Sequence, residues 1–423
     1  MFNSISSNTV VKSENQPWVG FLGLKRNVVL LLLITLLIYS GEKLWERFLP
    51  KYFETIGATV LIIGGLGFLQ NMLGAIWALQ GGYLADKFGT RKSFFLFNIL
   101  AIGGYLIAII FTNWIAVFVG MIFFSAWSNI SLPASMSLIT GALGNKKTVM
   151  GISMHSFIRR IPMAVGPVIG GIIIMHYGVI HGIKISFSLS VVLCLIGLIF
   201  QFRIKDQEKP VYEQIHPILL WKQMNLRLKK LLVSDILIRF CEQIPYVFVV
   251  IWCLDRIKIS PAHFGVLTAV EMSVAALVYI PVASFSGKVE KKPFIAITFF
   301  FFTIFPLILF LSRSYFSLLI AFIIRGLKEF GEPTRKALIT DYCPEKTRSR
   351  TFGLYYFVRD FTVSFAAFIG GLLWMKSPEL NLLSATSFGI LGTIYFILFG
   401  KNADSPAKEQ NQNSSVIETD KDH

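Results

Sequence analysis

The sequence contains little charge, cysteine or histidine for its length. Asp, Glu, Lys and Arg together make up 15% of the 423 residues, and there are six histidines and four cysteines. The cysteines form no CxxC pair and have no metal-ligand spacing: Cys194, Cys241, Cys253 and Cys343. We interpret them as packing residues and expect no redox or metal site. His155, His176 and His181 are also too dispersed to hold a metal ion.

Motifs of several enzyme classes and a cleaved leader are also missing. No HExxH zinc motif, GxSxG nucleophile elbow or phosphate-binding P-loop lies at a suitable place. We therefore expect no enzymatic activity and no cofactor. The first eighteen residues lack the basic start, apolar core and cleavage site of a secretory signal. The first apolar segment is therefore expected to direct its own insertion.

Apolar residues are abundant. The chain is 54% hydrophobic and 14% aromatic, and its mean hydropathy is +0.64, above that of ordinary soluble domains. Twelve segments approach the roughly 20 residues that a helix needs to cross a bilayer. They are residues 27–49, 58–80, 93–111, 114–143, 151–175, 183–202, 231–253, 263–285, 294–311, 316–340, 351–375 and 381–400. We predict an all-α membrane protein with twelve transmembrane helices in two pseudo-symmetric six-helix halves.

Basic residues exceed acidic ones, 40 to 24, and the net charge is +16. They concentrate in short connections on one predicted side of the membrane: Lys25 and Arg26, Lys87, Arg91 and Lys92, Lys146 and Lys147, residues 205–230, Lys288, Lys291 and Lys292, and Lys346, Arg348 and Arg350. By the positive-inside rule this side is cytoplasmic, and both termini lie inside. The charge therefore reflects topology, and we expect no nucleic-acid partner.

The predicted organisation has five parts. A cytoplasmic segment, 1–26, precedes the first bundle, 27–202. A cytoplasmic linker, 203–230, joins it to the second bundle, 231–400, and a polar tail, 401–423, is predicted to be disordered. Trp221, Leu226 and the basic residues of the linker indicate a segment that lies on the inner membrane surface.

The two halves share residues about 200 positions apart. Glu42, Pro133, Leu138, Ile139, Thr140, Arg159, Gly170 and Gly171 recur as Glu242, Pro333, Leu338, Ile339, Thr340, Arg359, Gly370 and Gly371. A duplicated unit of apolar helices is typical of secondary transporters that bind substrate between the halves. The repeat therefore favours a carrier.

Charged residues lie deep in five of the predicted helices, whereas the third, sixth, ninth and twelfth have essentially none and are expected to face lipid. The deep residues are Glu42, Lys43, Glu46 and Arg47; His155, Arg159 and Arg160; Asp235, Arg239 and Glu242; Arg325, Lys328, Glu329, Glu332, Arg335 and Lys336; and Arg359 and Asp360. Each costs roughly 2.5 to 3.5 kcal/mol on insertion scales, so such groups face a bundle interior or watery cavity.

Some of the deep charges are spaced to neutralise each other. Asp235 with Arg239, Arg325 with Glu329, and Lys328 with Glu332 stand one helical turn apart. The alternative to a polar cavity is that these groups form salt bridges that only fix helix packing. Buried pairs are poor sources of net stability, which favours the cavity for the set as a whole.

The segment Gly82-Tyr83-Leu84-Ala85-Asp86-Lys87-Phe88-Gly89-Thr90-Arg91-Lys92 resembles the signature loop of the major facilitator superfamily. The resemblance implies a gating role, as a clamp between the halves on the cytoplasmic side, for Gly82, Asp86, Lys87, Gly89, Arg91 and Lys92. The second-half counterpart, residues 286–292, lacks the aspartate. We therefore expect a one-sided clamp, with Asp86 near Arg350 and Thr351.

Three further segments resemble motifs of this superfamily. Residues 166–171, Gly-Pro-Val-Ile-Gly-Gly, are similar to the core of its antiporter motif, but Ser153 and Pro162 replace upstream glycines. A kinked, tightly packed helix is the alternative. Residues 45–48 resemble a motif of proton-coupled oligopeptide transporters, although Glu42 and Glu46 are one residue too far apart for it. Residues 325–336 look like bacterial members, and the overall resemblance covers about 25–400.

The superfamily layout implies a central cavity lined by the first, fourth, seventh and tenth helices. The implied substrate-binding residues are Glu42, Glu46, Arg47, Asn129, Arg239, Glu242, Arg325, Lys328 and Glu329, with Arg159 and Arg359 approaching from interface helices. Arginines pair bidentately with carboxylate and phosphate groups. We therefore expect a small organic anion, such as a carboxylate or a carboxylate-type iron chelate.

Glu42, Glu242 and Glu329 are candidate proton carriers, because burial disfavours the ionised form of a carboxylate. The alternative is that each is a permanently ionised partner of a nearby arginine. The resulting prediction is a monomeric, proton-coupled symporter in the bacterial inner membrane, whose partners are a small molecule and the lipid bilayer. Efflux of amphipathic drugs and a non-transporting receptor on the same scaffold remain alternatives.

Overall fold

The computed structural model describes residues 25–143, 145–204, 217–285, 290–344 and 347–400. Within these ranges the chain forms helices joined by short connections, as the hydropathy pattern predicted. Residues 205–216, in the predicted linker, and the predicted tail 401–423 lie outside the described residues.

The long helices are labelled α1 to α12 in chain order. They are α1 Arg26–Trp45, α2 Val60–Phe88, α3 Thr90–Ile110, α4 Trp114–Leu143, α5 145–177, α6 179–201, α7 Leu226–Tyr246, α8 Pro261–Phe285, α9 Lys291–Leu311, α10 Tyr315–Leu327 with Glu332–Tyr342, α11 Arg348–Lys376 and α12 Pro378–Phe399. A short helix, Pro217–Gln223, precedes α7. The first half is α1–α6 and the second half is α7–α12.

The fold class is the one predicted. Among the described residues, eight helices are long and apolar enough to cross a membrane, or nine when Leu226–Tyr246 and Val249–Arg256 count as one span bent by 44°. All twelve predicted segments coincide with helices. The boundary between the fifth and sixth is a single residue, Gly178, whose φ of 75° and ψ of 169° break one helical run. Only glycine adopts that conformation readily, so the turn is much tighter than predicted.

Three helices are interrupted near their middle, which the sequence did not predict. After Trp45 the first helix tightens into a 3₁₀ turn, Glu46–Phe48, before continuing as Leu49–Thr55. The seventh bends after Tyr246, where Pro245 removes a backbone donor. The tenth is interrupted at 328–331, just before Pro333, and the Gly331 N–H donates instead to Thr298 Oγ1 at 2.6 Å.

The duplicated residues form equivalent contacts in the two halves. A Cβ atom added to Gly170 would collide with the backbone carbonyl of Leu44, and one added to Gly370 would collide with that of Ile244. Leu44 and Ile244 are themselves 200 positions apart. The tight packing expected for residues 166–171 is therefore observed: Gly166 and Gly170 let α5 lie directly against α1.

The two ends of the bundle are distinguished by their connections. The end where α1 begins and α12 ends is called the terminal end here, and the opposite end the distal end. At the distal end the halves pack backbone to backbone: a Cβ on Gly64 of α2 would lie 2.8 Å from Cα of Gly371 of α11. Lys51 and Asp255 form a 2.6 Å ion pair between the halves at the same end.

Candidate functional site

A cavity of about 600 Å³ lies between the two halves. Its lining comes from α1, α2, α4 and α5 of the first half and α7, α8 and α10 of the second. Among the described lining residues, seven are basic and five acidic: Lys43, Arg47, Arg159, Arg160, Arg239, Lys328 and Lys336, and Glu42, Glu46, Glu242, Glu271 and Glu329. The wall therefore has a small excess of positive charge.

The helix interruptions place many of these charges. Glu46 and Arg47 lie in the 3₁₀ turn that follows α1, and Lys328 and Glu329 lie in the non-helical segment of α10. An interrupted helix at membrane depth is tolerated where it lines a cavity or is buried in protein. The same device forms the substrate sites of many secondary transporters.

The first-half wall carries two acids and one lysine from a single helix. Lys43 Nζ lies 2.9 Å from Glu42 Oε1 and also pairs with Glu46. The Ser128 hydroxyl of α4 donates to the other oxygen of Glu42. Two carboxylates thus share one ammonium group, and their charge is only partly compensated within this cluster.

Arg159 of α5 lies near that cluster but has no carboxylate within ion-pair distance among the described residues. Its guanidinium carbon lies 4.5 Å from the ring centroid of Tyr39, a cation–π contact. Its buried Nε atom has no hydrogen-bond partner in the described part of the chain. A buried cationic donor without an acceptor is costly, and an anionic ligand in the cavity would supply one.

The second-half wall differs, because its acid is held by two cations. Glu242 accepts from Lys328 Nζ at 2.5 Å and from Arg239 Nη1 at 2.6 Å. Arg239 also donates to Glu332 at 2.9 Å. The Arg239–Glu242 contact lies within α7, whereas the contacts with Lys328 and Glu332 join α7 to the interruption and the second part of α10.

The same chain of ion pairs continues away from the cavity. Glu332 accepts from Arg335 at 2.8 Å, and Arg335 pairs with Asp235, which is buried. Asp235 also accepts from the Tyr355 hydroxyl at 3.0 Å. Arg359 of α11 lies 3.6 Å from Asp235. We call the set Glu242, Arg239, Glu332, Arg335, Asp235 and Arg359 the second-half network; its carboxylates each contact two cations.

Ionic and polar contacts connect the two walls. Arg160 of α5 lies 3.7 Å from Glu329 of α10. Arg47 lies 3.7 Å from Glu271 of α8, which is fully buried and also contacts Arg325 at 3.2 Å. Asn71 Nδ2 donates to Gln243 Oε1 at 3.0 Å. The two ion pairs are longer than the contacts that Glu242 and Glu332 make inside the second-half network, and we expect them to exchange more easily for a ligand.

The geometry so far is that of a polar cavity between duplicated helical halves. A family model described as Major Facilitator Superfamily matches residues 31–241 and 231–419, which together span most of the chain. The chain belongs to the Major Facilitator Superfamily.

Relatives and solved structures agree with this membership. An uncharacterised MFS-type transporter of Methanocaldococcus jannaschii is 21% identical over 385 residues, covering 88% of this chain and 95% of that protein. An uncharacterised MFS-type transporter of Bacillus subtilis is 25% identical over 206 residues, covering 47% of this chain and 49% of that protein.

The solved structures show the same fold at low sequence identity. The nucleoside transporter NupG has a TM-score of 0.74 and 14% identity, covering 88% of this chain and 100% of that one. A POT family transporter in complex with 5-aminolevulinic acid has a TM-score of 0.74 and 13% identity, covering 89% and 96%. A bacterial homologue of the human lysosomal transporter Spinster, inward-facing and occupied, has a TM-score of 0.70 and 12% identity, covering 90% and 98%.

Most of the predicted substrate-binding residues of this superfamily member come together. The structure places eight of them in the cavity wall: Glu42, Glu46, Arg47, Arg159, Arg239, Glu242, Lys328 and Glu329. Arg325 lies behind the wall against Glu271 and lines a small adjoining pocket. Arg359 pairs with Asp360 at 2.7 Å and with Asp235, away from the cavity. The side chain of Asn129 lies outside the described residues.

The predicted clamp is described only in part. Gly82 and Asp86 lie in the stretch of α2 whose side chains are outside the described residues, so the expected position of Asp86 near Arg350 and Thr351 stays a prediction. Gly89 has a φ of 85° between α2 and α3, which a side chain would disfavour. The exposed residues Lys87, Arg91 and Lys92 flank this turn at the terminal end.

Sequence reasoning paired the charges of α10 wrongly and overlooked one acid. Arg325 contacts Glu271 rather than Glu329, and Lys328 contacts Glu242 rather than Glu332, because the helix is interrupted between these residues. Asp235 likewise contacts Arg335 and Arg359 instead of Arg239. Glu271 was missed, although it is the single carboxylate in the apolar run of α8. An isolated acid at that depth in a membrane helix is costly, so its presence could have predicted a cationic partner or a place in the cavity wall.

Proposed function

We propose that this chain is a secondary active transporter that moves a small organic anion across the bacterial inner membrane, coupled to protons, by alternating access. The observation that carries the proposal is Arg159, a cavity-lining cation without an acidic partner among the described residues, in a wall with more basic than acidic groups. Arginine in such a position suits a carboxylate, because its planar fork donates two parallel hydrogen bonds.

The conformation supports inward access. The described inter-half backbone contacts lie at the distal end, whereas the lining extends to Lys336 toward the terminal end. The basic connections concentrate at the terminal end, which the positive-inside rule places in the cytoplasm with both chain termini. In this arrangement the cavity is closed to the outside and accessible from the cytoplasm.

Glu329 is the strongest candidate for the proton carrier. Its described ion pair, with Arg160, has a separation of 3.7 Å, and a quarter of each side chain is exposed. Glu42 shares a lysine with Glu46 and ranks second, while Glu242 is held by two short ion pairs and ranks last. This order follows from how well nearby cations compensate each carboxylate, because a closely paired carboxylate binds a proton less readily.

A proton on Glu329 would break its pair with Arg160 and remove the carboxylate that competes with the substrate for that guanidinium. The anion would then bind between Arg159 and Arg160 while the acid on α10 is neutral. Loss of the proton would restore the pair between the halves and displace the anion. One proton thus binds together with each carboxylate at Arg160, so the net charge of the site is conserved.

Proteoliposome transport tests this function directly. A thermal-shift screen with mono-, di- and tricarboxylates, carboxylate-type iron chelates, sugars, peptides and amphipathic cations comes first. Labelled uptake of the strongest binder is then measured with and without a pH gradient. The expected result is accumulation of a carboxylate that requires an inside-alkaline gradient. Stabilisation only by amphipathic cations would favour drug efflux, and binding without counterflow of labelled solute would favour a receptor.

Substitution of the three acids separates their roles. Glu329→Gln is expected to abolish gradient-driven accumulation but retain exchange of labelled for unlabelled anion, because the neutral amide mimics the protonated acid. Glu42→Gln should reduce accumulation partly, and Glu242→Gln should mainly lower stability. Unchanged pH dependence and accumulation in all three variants would remove proton coupling from the proposal, while leaving anion transport standing.

A further inference from the structure

A second pocket lies at the terminal end of the first half, where α3 begins and α6 ends. It has a volume of about 400 Å³ and is lined by Arg91, Lys92, Phe95, Gln201 and Phe202. It shares no described lining residue with the central cavity. Two cations, one amide and two aromatic rings thus border a space outside the proposed substrate cavity.

Gln201 indicates that this space takes a ligand. Its side chain is 1% exposed, yet neither Nε2 nor Oε1 has a hydrogen-bond partner among the described residues. Buried amides are nearly always satisfied, because an unmade hydrogen bond at a buried polar atom is costly. A ligand that satisfies Gln201 must accept a hydrogen bond from Nε2 and donate one to Oε1.

The aromatic and apolar surroundings resemble a lipid-facing groove. The rings of Phe95 and Phe202 lie 5.3 Å apart, and the guanidinium of Arg91 lies 5.8 Å from the Phe202 centroid. Phe202 is 55% exposed, and Leu96 and Ile199 beside it are exposed as well. These residues lie on or next to α3 and α6, two of the four helices that were predicted to face lipid because they lack deep charge. The polar part of the pocket therefore opens onto an exposed apolar surface at the terminal end of the bundle.

The duplicated half has a different residue near the equivalent basic pair. Lys291 and Lys292 stand 200 positions after Arg91 and Lys92. Lys291 pairs with Asp341, and Lys292 donates to the backbone carbonyl of Ile397 at 2.8 Å. The first-half residue equivalent to Asp341 is Gly141, so the acid is missing there. The cations of the second half are satisfied by protein acceptors, including an acid that the first half has lost.

We propose that this pocket binds a glycerophospholipid whose headgroup carries a hydrogen-bond donor, either the ammonium of ethanolamine or a hydroxyl of glycerol. Arg91 and Lys92 contact the phosphate, Gln201 Nε2 donates to a phosphate oxygen, and Gln201 Oε1 accepts from the headgroup donor. The acyl chains lie along Phe95 and Phe202. Phosphatidylcholine, which has a phosphate but no such donor, binds more weakly.

Native mass spectrometry of the delipidated full-length protein tests the site. The protein is titrated with phosphatidylethanolamine, phosphatidylglycerol and phosphatidylcholine of identical acyl chains. The expected result is at least fivefold tighter retention of one donor-bearing lipid than of phosphatidylcholine. The double variant Arg91→Ala with Lys92→Ala should lose at least fivefold in retention of that lipid. Gln201→Leu should bring it to the level of phosphatidylcholine, with an unchanged unfolding temperature.

The pseudo-equivalent pair supplies the matched control. Lys291→Ala with Lys292→Ala removes the same charge at the same end of the bundle and should leave lipid retention unchanged. Equal retention of the three lipids by the unsubstituted protein, or equal losses in the two double variants, would overturn the proposal. Displacement of the lipid by inorganic phosphate at millimolar concentration would assign the pocket to free phosphate instead. None of these readouts depends on transport.

Discussion

The two halves place duplicated residues in different electrostatic surroundings. Glu42 accepts from the Ser128 hydroxyl, whereas Glu242, 200 positions later, accepts from Lys328, the counterpart of Ser128. Tyr39 is replaced by Arg239, which also donates to Glu242. The second half thus has basic residues at two positions where the first half has neutral polar ones. Glu242 therefore forms ion pairs with two cations, whereas Glu42 shares its single cation, Lys43, with Glu46.

The repeated arginines show the same divergence. Arg159 and Arg359 both lie over a tyrosine ring, at 4.5 Å and 4.2 Å from the centroid. Arg359 has Asp360 beside it at 2.7 Å, whereas the residue beside Arg159 is Arg160. One arginine is therefore neutralised within its own helix, and the other directs its charge at a cavity. We infer that the charged residues of the second half mainly fix the packing of its helices. The first half provides the unpaired charge that would contact a ligand.

The largest expected effect is on the second-half network. Asp235→Ala should lower the free energy of unfolding by about 3–5 kcal/mol, because it leaves Arg335 buried and without its nearest acid. The measurement is the apparent unfolding temperature in detergent. The control, Glu379→Gln, removes an exposed partner of Arg256 and should cost about 0–1 kcal/mol.

The first half supplies a rescue for this variant. It carries Thr35 and Ser135 at the positions of Asp235 and Arg335. The double variant Asp235→Thr with Arg335→Ser removes both charges and should recover much of the loss, since a buried pair replaced as a unit is often nearly neutral. A double variant no more stable than Asp235→Ala would mean that the two residues are not coupled.

The next largest effect distinguishes the two repeated arginines. Arg159→Gln should lower kcat/KM for anion uptake about 10- to 150-fold, since a hydrogen bond to a charged group is worth about 1.5–3 kcal/mol. Its unfolding temperature should hardly change, because no described acid depends on it. Arg359→Gln should lower the unfolding temperature and hardly change kcat/KM, because it removes an ion-pair partner of Asp235 and Asp360. Equal loss of uptake in both variants would contradict the division between the halves.

The sequence was sufficient to predict the fold and most of the residues that line the cavity. It was insufficient to predict which charged residues form ion pairs with each other. Hydropathy predicted the twelve segments because the thickness of the bilayer sets the length of a membrane helix. The charged residues deep in these segments predicted the cavity lining because such residues avoid lipid. Which charges pair was not readable, since Lys328 and Glu242 are 86 positions apart and meet only after the bundle packs. The interruption of α10 at 328–331 also changed the two pairings inferred from helical spacing in that helix, Arg325 with Glu329 and Lys328 with Glu332.

The smallest expected effect concerns the distal ion pair that joins the halves. Lys51 and Asp255 are 19% and 41% exposed, so the pair should contribute about 0.2–1 kcal/mol to distal closure. Asp255→Asn should therefore raise the population of the distal-open conformation by up to about fivefold. A cysteine introduced as Ser156→Cys in the cavity wall reports this population as its labelling rate by a membrane-impermeant maleimide added from the distal side.

This labelling is readable because the four native cysteines are buried and unreactive toward a bulky reagent. Arg256→Gln is the matched control: its partner, Glu379, belongs to the same half, so the labelling rate should not change. Charge reversal, Lys51→Asp with Asp255→Lys, should return the rate toward that of the parent. If Arg256→Gln raised labelling as much as Asp255→Asn, the effect would arise from surface charge at the distal end rather than from a bond between the halves.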